Sequence, residues 1–238
     1  MGVPPLSTNI ALFLDFDGTL VELAPRPEDV AVPAGTPVVL RNWLDQLEGA
    51  VAIVSGRPID EIDAFLAPCK FPAAGLHGLQ HRWEQEGIVE RDTPDIGLLK
   101  LKELVLSSGL IGEDILLEDK DAAFAVHYRA APVREPDVRA LMGQLVKKFP
   151  ALHLVEGKMV VEAKPKARDK GKAVQDFMKI LPFRGKTPIF VGDDVTDEDG
   201  MAAAEQAGGY GIKVGAGPTC ARYRLQDVAA VYEWLAKK

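Results

Sequence analysis

At 238 residues, 47% of them hydrophobic, the chain is long enough to bury a core without staples, as one large domain or two modest ones. A formal net charge of -7 points away from general nucleic-acid affinity, which needs a basic face to displace counterions. Two cysteines without metal-ligand spacing, Cys69 and Cys220, no basic-then-apolar leader and no membrane-length apolar stretch point away from disulfide, zinc, exported and membrane classes, so a reduced cytoplasmic setting is expected.

The first element is the apolar run Ile10 to Leu14, expected as a buried strand that ends at Asp15-Phe16-Asp17-Gly18-Thr19. If strand alternation continues, Asp15 and Asp17 share a side, Phe16 points away and Gly18 lets the chain turn. Taken alone, such a pair is equally compatible with a helix or loop opening that carries acidic caps. A proline-rich, aperiodic stretch runs from Leu23 to Pro33. Then Val38, Leu40, Trp43, Leu44 and Leu47 recur at helical spacing, and Ala50 to Val54 forms a second apolar run that ends in Ser55-Gly56-Arg57. That is a β-α-β unit. A helix-like Ile59 to Leu66 and a strand Phe71 to Leu76 follow.

From about Gln80 to Glu162 the pattern changes to two short strands, a helix, two strands, a second helix and two strands. Strands such as Ala123 to Arg129 suit an antiparallel sheet with one open face. An α+β insertion over 80–164 is therefore expected inside a core of 1–79 and 165–238, with Leu79-Gln80 and Ala163-Lys164-Pro165-Lys166 as hinges. Beyond it come a third apolar run, Pro188 to Val191, closing in Gly192-Asp193-Asp194, a helix over Glu198 to Ala207 and a strand over Gly211 to Val214. Trp43, Trp83 and Trp234 read as packing residues, and the Gly208-Gly209 and Gly215 to Gly217 clusters as turns.

Apolar strands without alternation require a parallel sheet covered on both faces. The fold class is thus α/β, a Rossmann-like parallel-sheet core with an inserted α+β domain, and ligands of such sheets bind outside the strands' carboxyl ends. All three polar clusters fall there. Phosphoryl transfer through an aspartyl nucleophile needs a carboxylate, a divalent ion, cations for the moving oxygens and a proton donor. Asp15 suits the nucleophile, Asp17 the acid and base, Ser55, Gly56 and Arg57 a phosphate-binding turn, and Lys170 a link between nucleophile and phosphate. Asp193, with Asp15 and the Asp17 carbonyl, forms an all-oxygen set suited to magnesium, supported by Asp194 and Asp197. Each element has a plainer alternative. The acid-rich 192–199 segment also reads as a solvated helix start, Ser55-Gly56-Arg57 as a capped turn, Arg57 as a loop anchor and Lys170 as a surface charge.

Asp-x-Asp-Gly-Thr, Ser-Gly-Arg, Lys-Gly-x-Ala and Gly-Asp-Asp-x-Thr-Asp-Glu, in that order and context, resemble the haloacid dehalogenase (HAD) superfamily of phosphatases, with the insertion similar to its type C2 cap. Leu76-His77-Gly78, Glu118-Asp119-Lys120, His127-Tyr128-Arg129 and Val161-Glu162-Ala163-Lys164-Pro165 are similar to motifs of the trehalose-6-phosphate phosphatase family within it. The resemblance implies Mg2+, a phosphosugar substrate and a trehalose-6-phosphate synthase as pathway neighbour, and a monomer is expected. It also implies that the cap holds the sugar through Glu118, Lys120, Arg129, Lys158 and Glu162, with His77 at the boundary. Without it, these are ordinary hairpin and open-face residues. Two other readings stand beside it: a related capped phosphatase or phosphomutase for another phosphosugar, and a non-catalytic sugar-phosphate-binding regulatory module.

Overall fold

In a computed structural model of the chain, residues 2–24, 29–91, 95–120, 123–157, 159–166 and 168–237 are described. They form two compact units, one running to residue 90 and resuming at 169, the other spanning residues 91–168.

The first unit contains β1 (Ile10–Leu14), α1 (Thr36–Gln46), β2 (Val51–Val54), α2 (Ile59–Phe65), β3 (Ala73–Gly75) and β4 (Gln80–Arg82), with β5 (Glu90–Arg91) at its boundary. After the second unit it resumes with α5 (Lys170–Phe177), β10 (Thr187–Gly192), α6 (Asp197–Gln206), β11 (Tyr210–Val214), β12 (Tyr223–Leu225) and α7 (Val228–Leu235). The sheet order is β12-β11-β10-β1-β2-β3-β4-β5, parallel from β12 to β3. Every residue of β1 and β2 is buried, as the unbroken apolar runs require. From β1 the chain moves to β2 and β3 on one side and later to β10, β11 and β12 on the other. The strand order therefore reverses at β1, and such a switch point opens a crevice at the strands' carboxyl ends.

Packing fixes which helix covers which strand face. Phe13 meets Phe177 of α5 at 5.9 Å and Phe183 at 5.5 Å. Asp15 follows Phe13 by two residues, so it leaves β1 toward the face that α5 covers. Phe16 instead meets Phe65 of α2 at 5.6 Å. Asp169 caps α5 by accepting the Lys172 amide at 2.7 Å, which sets Lys170 in the first turn.

The second unit holds α3 (Ile96–Leu106), β6 (Leu116–Asp119), β7 (Phe124–His127), α4 (Glu135–Val146), β8 (Leu152–Gly157) and β9 (Val160–Pro165). Its sheet is antiparallel in the order β6-β7-β9-β8. Phe124, Val126, Val161 and Ala163 form one core with Leu98, Leu101 and Val105 of α3 and Val138 and Met142 of α4. The alternate residues Ala125, His127 and Glu162 lie on the other face by strand parity.

Two expectations change, and one strand lay outside them. Gln80 to Arg82 does not open the insertion: β4 pairs antiparallel with β3, Gln80 Oε1 accepts the Ile59 amide at 2.9 Å, and Arg82 forks Asp63 of α2. The expected hinge at Leu79-Gln80 thus runs straight into a strand of the first unit. On α1, Leu40, Trp43 and Leu44 are buried while Val38 is exposed, so the apolar stripe is narrower than its spacing promised. The edge strand β12 had no apolar run to announce it.

Candidate active site

Asp15, Asp17, Ser55, Gly56, His77, Lys170, Asp193 and Asp194 line one pocket of about 380 Å³ in the first unit, together with Leu23 and Thr196. They arrive from five stretches: the end of β1, the β2–α2 loop, the turn after β3, the start of α5, and the β10–α6 loop. Asp15 is held at the exit of β1 by its amide, which donates to the Val191 carbonyl at 2.9 Å. Gly18 follows with φ +77°, and a Cβ there would lie 2.1 Å from Asp193 Oδ2. Only glycine lets the β1 turn and the β10 loop approach this closely.

Lys170 is 3% exposed and donates to Asp15 Oδ1 and Asp197 Oδ1, each at 2.6 Å. Burial alone would lower the pKa of its ammonium, but the charges of Asp15 and Asp197 outweigh that and hold it above the ordinary lysine value. Burial holds the Asp15 carboxyl well above the usual carboxylate range, against the opposing pull of Lys170, and the Asp197 charge adds to the rise. Asp197 is fully buried, and its Oδ2 accepts the amides of Asp193 and Asp194 at 3.0 and 2.9 Å. It folds the loop that presents Asp193. That carboxyl is pushed up to about 6 by burial and by the nearby charges of Asp197 and Asp194.

Asp15, Asp193 and Asp197 each offer a carboxylate oxygen within 4.8 Å of the others. Both Asp197 oxygens already accept from Lys170 or backbone amides, so Asp15 and Asp193 are the better direct ligands and Asp197 orients them. Crowded carboxylates whose ionisation is opposed by one another, in an oxygen-only donor set, fit a hard divalent cation.

Asp17 and Arg57 depart from their expected settings. β1 ends at Leu14, so alternation no longer governs Asp17, and its carboxylate faces the β2–α2 loop instead of Lys170. There the Arg57 guanidinium takes both its oxygens, at 2.6 and 2.7 Å, and also reaches Glu61 at 3.1 Å. The Phe65 ring lies 4.9 Å from the Arg57 guanidinium carbon. Arg57 is thus turned to an acid and does not line the pocket that Ser55 and Gly56 line. Ser55, 1% exposed, accepts the Arg57 amide at 3.1 Å, leaving its hydroxyl proton for an incoming group. His77 adopts φ +55° and belongs to this pocket. Leu23 and Thr196 were missed. Thr196 sits inside the acid motif and could have been inferred from it, whereas Leu23 lies in a stretch with no pattern.

In the second unit, Lys120 donates to Glu162 at 2.9 Å and lies 3.9 Å from Glu118. Glu118 in turn is 2.8 Å from His127 Nε2. Register explains the group: Glu118 pairs Ala125, and Ala125 pairs Glu162, so both acids flank one small side chain on the face away from α3 and α4. Arg129 is exposed in the turn after β7. Lys158 lies outside the described residues. No helix among the described residues is long and apolar enough to cross a membrane.

Comparison with known proteins places the chain in a family. A relative named "Trehalose-6-phosphate phosphatase" from Escherichia coli (strain K12) is 39% identical over 232 residues, 98% of this chain and 87% of the relative. A "Probable trehalose-phosphate phosphatase" from Sinorhizobium fredii (strain NBRC 101917 / NGR234) is 42% identical over 210 residues, 87% of this chain and 78% of the relative. A solved structure titled "Crystal structure of trehalose-6-phosphate phosphatase related protein" superposes with a TM-score of 0.72 at 24% identity, covering 94% of each chain, which supports the fold. The family described as "Trehalose-phosphatase" matches residues 13–229, and the chain belongs to that family.

Proposed function

We propose that the chain hydrolyses trehalose 6-phosphate to trehalose and inorganic phosphate, with the first unit as catalytic core and the second as sugar-binding cap. The observation that carries the reaction type is the buried Asp15, joined to Lys170 at the switch point and faced by Ser55 and Asp193. Family membership and the 39% identical relative from Escherichia coli support the substrate.

In this mechanism an Asp15 oxygen attacks phosphorus and the bond from phosphorus to the sugar oxygen breaks. Asp17 gives its proton to that oxygen as trehalose leaves. The product is an aspartyl-phosphate on Asp15. Asp17 then takes a proton from water, which attacks phosphorus, and the bond to Asp15 breaks to release phosphate and restore the carboxylate. Lys170 and the Ser55 hydroxyl bind the phosphoryl oxygens throughout. Asp15, Asp193 and the Asp17 main-chain oxygen would hold magnesium, which would screen the charge of the incoming phosphate. Asp194 and Asp197 support the ligands, and His77 orients the substrate. Glu118, Lys120, Arg129, Lys158 and Glu162 hold the sugar hydroxyls by charge-assisted hydrogen bonds. The free thiols of Cys69 and Cys220 suit a reducing cytoplasm, and in this reading the chain acts as a monomer whose phosphosugar is made by a trehalose-6-phosphate synthase.

A panel of phosphosugars with and without chelator tests the proposal. Phosphate release should be greatest with trehalose 6-phosphate and stop with chelator. Equal rates on hexose and sucrose phosphates would overturn the substrate, and chelator-resistant turnover would overturn the metal.

A further inference from the structure

β11 pairs with β10 so that Lys213 stands opposite Gly192, at the threshold of the acid-rich loop. Lys213 is 5% exposed, and its ammonium donates to the main-chain oxygen of Asp193. A buried ammonium is costly to desolvate and persists where oxygen atoms and negative charge surround it. Both are present. Five of the eight residues from Gly192 to Asp199 are acids, and Lys213 interacts favourably with the charges of Asp193 and Glu198. Glu198 Oε2 accepts the Cys220 amide at 2.7 Å, while its buried Oε1 has no hydrogen-bond partner among the described residues. Lys170 is already bonded to Asp15 and Asp197.

We propose that Lys213 is a positioning residue, the standing counter-ion of the Asp193–Glu198 loop, which holds Asp193 in place before a divalent cation arrives. The inference rests on the metal reading of Asp15 and Asp193 given above. It differs from a packing role in one respect. If the charge is what matters, a cation bound at the loop compensates for its loss; if the aliphatic stem is what matters, no cation does.

Thermal midpoints of the full chain, measured in chelator and in saturating magnesium, separate the two for the parent, Lys213→Arg, Lys213→Gln and Lys213→Met. The arginine variant should follow the parent in both conditions. The glutamine and methionine variants should lose several degrees in chelator, and magnesium should raise their midpoints about twice as far as it raises the parent's. Glutamine keeps a donor for the Asp193 carbonyl, so it isolates charge from hydrogen bonding and carries the test if the methionine variant fails to fold. A magnesium-induced rise in the glutamine variant no larger than the parent's overturns the inference alone. A parent midpoint that ignores magnesium overturns the metal reading and the inference with it.

Discussion

Asp17 and Arg57 form a two-pronged pair, Nε to Oδ2 at 2.6 Å and Nη2 to Oδ1 at 2.7 Å, with the guanidinium wedged beside Phe65. Hydrogen bonding to Asp17 raises the Arg57 pKa further above its ordinary value, so the pair stays charged on the arginine side at any physiological pH. The fork fixes the orientation of Asp17 by occupying both of its oxygens, and in the proposed mechanism one prong must open for Asp17 to carry the proton it delivers and recovers.

Arg57→Lys keeps the charge and loses the fork. Because positioned acid–base groups contribute roughly 10²–10⁴-fold, kcat should fall about 10- to 100-fold while KM changes by less than about 3-fold. Steady-state phosphate release measures both. A kcat within 2-fold of the parent would show that Asp17 needs no such alignment.

Asp15→Asn removes the attacking oxygen's charge and leaves Lys170 its second partner, Asp197. The fold should persist while turnover drops on the order of 10⁴-fold or more. Intact-mass spectrometry after rapid quenching should find a phosphorylated species in the parent and none in the variant. Parental turnover by the variant would rule out the covalent route.

Arg82, 1% exposed, forks Asp63 at 2.6 and 2.7 Å and donates twice to the Phe71 carbonyl. Arg82→Met strands the partly buried Asp63 and should cost about 3–5 kcal/mol, since breaking a buried pair is far worse than replacing it. Arg82→Met with Asp63→Leu should recover much of that loss. Denaturant titration of the two variants checks this, and equal losses would mean that the pair itself is worth little.

Lys120→Ala leaves Glu162 without its 2.9 Å partner. If these residues hold sugar, KM for trehalose 6-phosphate should rise roughly 5- to 150-fold, equivalent to about 1–3 kcal/mol, while hydrolysis of p-nitrophenyl phosphate stays at the parental rate. A parallel loss on both substrates would place Lys120 in cap folding instead.

The buried strands were legible because hydrophobic runs and their abrupt polar ends are local properties. Ile10 to Leu14, Ala50 to Val54 and Pro188 to Val191 each became a central strand, and the acids and serine behind them met at one sheet edge. A strand at Gln80 was expected, but as part of the insertion, because Gln80-His81-Arg82 is polar and gives no sign of its burial in the first unit's sheet. Its place depends on Gln80 finding the Ile59 amide and Arg82 finding Asp63, partners about twenty residues away.

Asp15, an acid at the polar end of an apolar run that the fold leaves only 4% exposed, shows where the division lies. The local pattern alone determined that acids would stand at the carboxyl ends of parallel strands, because strand length and apolar burial are set within a few residues. Which cation each acid receives was decided by tertiary structure. Asp15 has Lys170 from 155 positions away, Asp17 has Arg57 from 40, and Asp197 is buried beneath the loop it orders. Partner choice follows from the direction in which each side chain leaves its element, and that direction changes once β1 ends at Leu14 and alternation no longer applies.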